Sequence, residues 1–113
     1  MKTFDDLTFT PHANQQDLGV QANLTLDNGY AFSVVANIEG GDFFYGDHPN
    51  TYEVAVFNQR GDVVPLGKNN DILAYQSPLQ ISQLMKQFNL DGILHEKLLV
   101  DIRQEALQTQ AQY

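Results

Sequence analysis

Asp42, Asp47 and His48 fall within one short stretch, residues 40–50, GGDFFYGDHPN. Two carboxylates and an imidazole are donor types that gather a divalent cation, and a small metal-dependent hydrolase is one chemistry such a loop would support. The spacing matches neither an EF-hand loop nor a His-Glu-x-x-His helix, so the expectation is an ordinary acidic turn, with no metal or cofactor assigned. Asp5-Asp6, the one adjacent carboxylate pair, lies near an exposed end and offers no contrast of environment to push two pKa values apart. No Gly-x-Ser-x-Gly elbow, phosphate loop or Gly-x-Gly-x-x-Gly turn occurs, and Ser33, Ser77 and Ser82 hold structural or ordinary helical positions. No catalytic residue is assigned, and the chain reads as a non-enzyme.

Between the two aspartates stand Phe43, Phe44 and Tyr45. These aromatics either fold back over an edge of a sheet or stay exposed beside Asp42 and Asp47. In the second case they form a protein-binding patch, aromatic at its centre and acidic at its rim. Phe43, Phe44, Tyr45, Asp42 and Asp47 are the expected partner-binding residues. Of the other histidines, His12 follows Pro11 in a loop and should be exposed, whereas His95 falls in the apolar arc of a helix and should be packed.

The charge narrows the partners. The chain of 113 residues has a formal net charge of −8, unevenly spread. Residues 1–62 hold nine acids against Lys2 and Arg60, whereas residues 63–113 hold five acids against Lys68, Lys86, Lys97 and Arg103. An acidic half disfavours direct binding to nucleic acid or an anionic membrane and allows a basic protein partner. Solubility alone would also account for it. Absence of cysteine removes thiolate metal sites, thiol catalysis and disulfides, and is compatible with a reducing cytoplasm. The opening residues MKTFDDLTF lack the apolar run of a signal peptide, and no stretch approaches the ~20 apolar residues of a membrane span. A cytoplasmic location is expected.

A single α+β domain over residues 1–113 must position these groups. Its length allows burial of roughly two-thirds of the unfolded surface, enough for a core without staples. The central element is a β-hairpin over residues 18–38, turning at Asp27-Asn28-Gly29. A two-residue loop would mix apolar and polar groups on both faces. A three-residue loop with Gly29 left-handed as a bulge sets Leu26 opposite Tyr30, Leu24 opposite Phe32, Ala22 opposite Val34 and Val20 opposite Ala36, which gives one clean apolar face. A short strand over residues 4–10 precedes it, ended by Pro11, with a polar connection over 12–17. Residues 51–57 alternate again and pair with a short edge strand at Val63-Val64, stopped by Pro65. An antiparallel sheet of about four strands results, while residues 72–75 are too short to assign.

Two C-terminal helices should cover the sheet. Ser77, Pro78 and Gln80 form a capping box with proline at the first helical position, and Ile81, Leu84, Met85 and Phe88 make one buried stripe. Residues 89–92 break this helix. A second helix runs from about Ile93 to Gln108, with Leu94, Leu98, Leu99, Ile102 and Ala106 on one broad face and a tail expected to fray. Ile93, Val100 and Leu107 recur every seven residues on the other side, the expected interface of a homodimer.

Phe4-x-x-Leu7-x-Phe9-x-x-His12, Gly19-x-Gln21-Ala22, Asp27-Asn28-Gly29-Tyr30, Ser33-Val34-Val35, Tyr52-Glu53-Val54-Ala55-Val56 and Ile72-Leu73-Ala74-Tyr75 follow in this order. Over residues 4–88 the chain resembles small bacteriophage and prophage proteins of no assigned activity. The last helix, from Ile93, departs from their shorter versions. The resemblance implies a phage- or mobile-element-associated accessory protein. The residues themselves leave two non-enzymatic readings: an interaction protein that dimerises and meets a protein partner, or an acidic nucleic-acid mimic that blocks a host nucleic-acid-binding protein.

Overall fold

In the computed structural model, which describes residues 1–14, 18–67 and 69–111, a 3₁₀ turn at Phe4–Asp6 is followed by five strands and one helix. The strands are β1 (Thr10–Pro11), β2 (Gly19–Thr25), β3 (Ala31–Asn37), β4 (Tyr52–Phe57) and β5 (Leu73–Gln76), and the helix is α1 (Pro78–Ala111). The polar connection over 12–17, the loop around residue 68 and the end of the expected tail lie partly outside the described residues.

The sheet is an antiparallel meander in the order β1-β2-β3-β4-β5. Its register is the bulged one. Leu24 opposes Phe32, Ala22 opposes Val34 and Val20 opposes Ala36. At the tip, Gly29 N–H donates to Leu26 O (2.9 Å) and Leu26 N–H donates to Tyr30 O (2.8 Å), with Gly29 left-handed at φ 95°. That is a type I turn closed by a glycine bulge, the arrangement that gathers Leu24, Phe32, Ala22, Val34, Val20 and Ala36 on one face.

Two corrections concern the other strands. Residues 4–6 form a 3₁₀ turn because Thr3 and Asp6 make a reciprocal capping box there, leaving only Thr10–Pro11 to pair with β2. The pairing of Val63 with Phe57 is a single bridge, since Pro65 cannot donate to a ladder, and the fifth strand is instead the unassigned stretch Leu73–Gln76.

The core lies between one sheet face and the first half of α1. Tyr30, Phe32, Val34, Tyr52, Val54 and Val56 meet Ile81, Met85 and Phe88, all essentially inaccessible. The capping box is present: Gln80 N–H donates to Ser77 Oγ (3.2 Å) and Ser77 N–H donates to Gln80 Oε1 (2.8 Å). The opposite face carries Gln21, Asn23, Thr25, Ala31, Ser33, Val35, Glu53, Ala55 and Phe57, none of them fully buried. No described helix packs over it.

The two expected helices run on as one long helical element, and the expected break within residues 89–92 is a kink at Asp91, whose φ/ψ of −141°/45° leave the helical region. The kink has two causes in the hairpin tip. Asn28 Nδ2 donates to Phe88 O (2.8 Å), satisfying a carbonyl freed by the break. Gly92 is packed so closely on Tyr30 that a Cβ would run into the ring.

Candidate functional site

The loop between β3 and β4 is built around one buried side chain. Asn37, 4% exposed, donates from Nδ2 to Phe44 O (2.8 Å) and Asp47 Oδ1 (3.2 Å), while its Oδ1 accepts from Phe44 N–H (2.8 Å). Its backbone adds Asn37 N–H to Gly46 O (2.8 Å) and His48 N–H to Asn37 O (2.9 Å). Gly46 has no room for a side chain, since a Cβ there would lie 2.5 Å from Tyr52 Cα. The loop is therefore held from inside, and its outer side chains are presented on a fixed backbone.

The three loop aromatics divide. Phe44 turns inward onto the His12 ring (centroids 4.8 Å apart), so it anchors the loop, and His12 is half-buried against it rather than exposed. Phe43 and Tyr45 point outward, 62% and 58% exposed. Asp42 and Asp47 are exposed beside them.

Two further residues join Tyr45 that the sequence reading did not single out. Tyr75 lies in a bulge of β5, where Ala74 and Tyr75 together oppose Glu53, and it takes the left-handed φ of 53°. For a side chain with a Cβ this conformation costs about 1–2 kcal/mol. Tyr75 N–H donates to Tyr45 O (2.9 Å), and Tyr45 N–H donates to Glu53 Oε1 (3.2 Å). The tyrosine rings meet edge-to-face with centroids 6.4 Å apart. Strand alternation already separated Glu53 from buried Tyr52; the bulge that sets Tyr75 opposite it has no local sequence signal.

The donors considered for a metal are engaged separately. Asp47 Oδ1 accepts from Asn37, and His48 Nδ1 shares a hydrogen bond with the Tyr52 hydroxyl (2.8 Å). Burial pushes the Tyr52 phenol up, which keeps it protonated beside the imidazole. Among the described residues no group of three His, Asp or Glu side chains comes together to hold an ion. Among the described acids of the first half, Asp27 and Asp62 lie at the hairpin-tip end of the sheet and Glu39, Asp42 and Asp47 at the other.

A second surface lies along α1 beyond the kink. Its inward side is set by polar contacts. Glu96 accepts from the Tyr30 hydroxyl (2.9 Å) and from Asn58 Nδ2 (2.9 Å). Burial, with the Glu96 carboxylate beside it, pushes the Tyr30 phenol up to about 12. Arg103 clamps the loop before β5, donating to Gly67 O (2.6 Å), Asn70 O (2.8 Å) and Asp71 Oδ1 (3.1 Å). These contacts rotate the helix so that Leu99 and Ala106 turn inward, while Leu94, Leu98 and Ile102, expected against the sheet, are 56%, 51% and 51% exposed. Ile93, Val100 and Leu107 are exposed as well, at 79%, 37% and 51%. His95 packs edge-on against Phe88 (centroids 5.0 Å, 79°), and burial lowers its pKa. At the kink, Asn28, Tyr30, Gln59, Leu90, Ile93 and Leu94 line a shallow cleft of about 510 Å³.

No described helix is long and apolar enough to cross a membrane. Compared with protein-family models, with curated proteins and with solved structures, the chain matches none.

Proposed function

We propose that the protein is a non-enzymatic interaction module that pairs with a second copy of itself through the distal half of α1 and offers its aromatic loop to a protein partner. The accessory role in a phage or mobile element that its resemblance implies is compatible with such a module, and a cytoplasmic setting with its cysteine-free sequence.

The observation that carries the reading is the set of seven apolar side chains Leu90, Ile93, Leu94, Leu98, Val100, Ile102 and Leu107, exposed between 37% and 79%. At ~100 Å² for a fully exposed aliphatic side chain, the area implied by ~2.5 kcal/mol at ~25 cal/mol/Å², they leave on the order of 400 Å² of apolar surface open to water. That surface is divided between two rows, Leu94, Leu98 and Ile102 on one side of the helix and Ile93, Val100 and Leu107 on the other, each an exposed apolar stripe. The row Ile93, Val100 and Leu107 is symmetric about Val100. A twofold axis through Val100 sets Ile93 of one copy against Leu107 of the other, so a single patch is its own complement.

Light scattering on the eluting size-exclusion peak at micromolar concentration tests the pairing. Twice the chain mass is expected for the wild type and the monomer mass for Val100→Glu, with unchanged helical circular dichroism in both. A strict monomer for the wild type removes the pairing. For the partner, tagged wild type and a Phe43→Ser, Tyr45→Ser double variant are compared by affinity capture from host lysate. A basic protein retained by the first, released by salt and lost in the folded variant is the expected result.

A further inference from the structure

Resting on the reading that the aromatic loop meets a protein partner, we propose that Tyr45, Tyr75 and Glu53 form a recognition site for a basic side chain of that partner, an arginine. Tyr45 and Tyr75 are 58% and 54% exposed, and their rings meet edge-to-face at 70°, which leaves ring surface away from that contact open to solvent. Each face carries the negative side of the ring quadrupole and attracts a cation within ~6 Å. Glu53 supplies a formal charge at the same place. Its Oε1 accepts from the Tyr45 amide, which fixes the carboxylate against the Tyr45 backbone, and among the described residues no lysine or arginine is paired with it. Val35 is the Glu53 neighbour across β3, which puts the carboxylate on the sheet face that no described helix covers.

The backbone is arranged to hold this juxtaposition. Tyr75 is the one residue other than glycine with a positive φ, among the described residues, and the bulge that imposes it is tied to Tyr45 by the Tyr75 N–H···O bond. Strain kept at an exposed aromatic side chain, where nothing in the core requires it, points to the position of the ring as what the bulge secures. Asp42 and Asp47, exposed on the same loop, add to a local field that draws cations. Arginine fits better than lysine. Its planar guanidinium stacks on one ring while its fork reaches the carboxylate, whereas an ammonium remains a strongly hydrated point charge.

The test is a ¹H–¹⁵N NMR titration of the full chain with the capped peptide Gly-Arg-Gly-Arg-Gly, its lysine counterpart and its neutral citrulline counterpart. The arginine peptide is expected to move the amide signals of Tyr45, Glu53 and Tyr75 saturably. The citrulline peptide should bind about tenfold more weakly or not at all, the loss of one exposed cation–π and ion-pair contact. Lysine should fall between them. Glu53→Gln keeps the acceptor for the Tyr45 amide and should weaken the arginine peptide about fivefold, in the range of one exposed ion pair. Tyr75→Gly relieves the positive φ, so it should fold at least as well as wild type and yet lose the response. Equal shifts with citrulline, shifts elsewhere on the surface, or unchanged binding in Glu53→Gln would overturn the site. Arginine-peptide binding unchanged in Glu53→Gln, with partner capture lost in the Phe43→Ser, Tyr45→Ser variant, would leave the aromatic-loop reading standing and remove the arginine site alone.

Discussion

Asn28, at the tip of the central hairpin, donates its side-chain amide to the carbonyl of Phe88, 60 residues further on, at 2.8 Å. The hairpin turn thus caps the helix it packs against at the point where that helix kinks. With Gly92 lying on Tyr30 and Glu96 bonded to the Tyr30 hydroxyl, one end of the hairpin fixes where α1 bends and how its distal half is rotated. The exposed rows of that distal half follow from this seating.

Gly92→Ala tests the seating directly. In an open helix the change gains about 0.8–1 kcal/mol from propensity. Here the new Cβ meets the Tyr30 ring, and a net loss of about 1–3 kcal/mol is expected, the usual penalty of overpacking. Urea unfolding measures it; a stabilised variant would mean that the helix is not pressed on the ring.

Asn37→Ala should loosen the aromatic loop. It leaves the Phe44 N–H and C=O without their partner, at about 1–3 kcal/mol for each group stranded out of water. Amide exchange across residues 42–48 should accelerate more than exchange in β2 and β3. Equal acceleration throughout would show that Asn37 supports the whole sheet and not the loop in particular.

Tyr30 carries a signature at alkaline pH. Its folded pKa is raised to about 12, so above pH ~10 the unfolded chain loses a proton that the folded chain keeps, and stability falls as pH rises from ~10 to ~12. Two units at 1.36 kcal/mol each give a loss of about 3 kcal/mol over that window. Tyr30→Phe should be less stable at neutral pH, since Glu96 loses a donor, and should show a shallower alkaline decline. Parallel declines in the two proteins would count against the shift.

His95 gives the opposite window. Burial holds its pKa below the ordinary ~6.5, so below that value the unfolded chain takes up a proton that the folded chain resists. Stability is intact above pH ~6.5 and declines as the solution is acidified. Replacing the ring by His95→Phe, which keeps the packing on Phe88, should reduce the difference in unfolding midpoint between about pH 7.5 and about pH 5.5. An unchanged difference would assign the acid sensitivity to other groups.

Much of the fold was legible because it rests on local rules. Asp27-Asn28-Gly29 specified the bulged turn, alternation in residues 18–38 and 51–57 specified which face is buried, and Ser77-Pro78 with Gln80 specified where the helix starts. Each signal is complete within a few residues, since strand period, turn chemistry and capping depend on near neighbours. The loop aromatics and the apolar row Ile93, Val100 and Leu107 could be picked out by residue type.

What those residues face was settled by contacts between distant parts of the chain. Phe44 turns inward and Tyr45 outward because Asn37 binds the backbone between them. Tyr75 comes opposite Glu53 because a bulge in β5 shifts the register against β4. Leu94, Leu98 and Ile102 fill an apolar arc that in isolation reads as core-facing, yet Glu96 and Arg103 tie the helix down along another line. Sequence periodicity determines that a helix has an apolar face; the partners of a few polar side chains, set by tertiary packing, decide whether that face meets the core or the solvent.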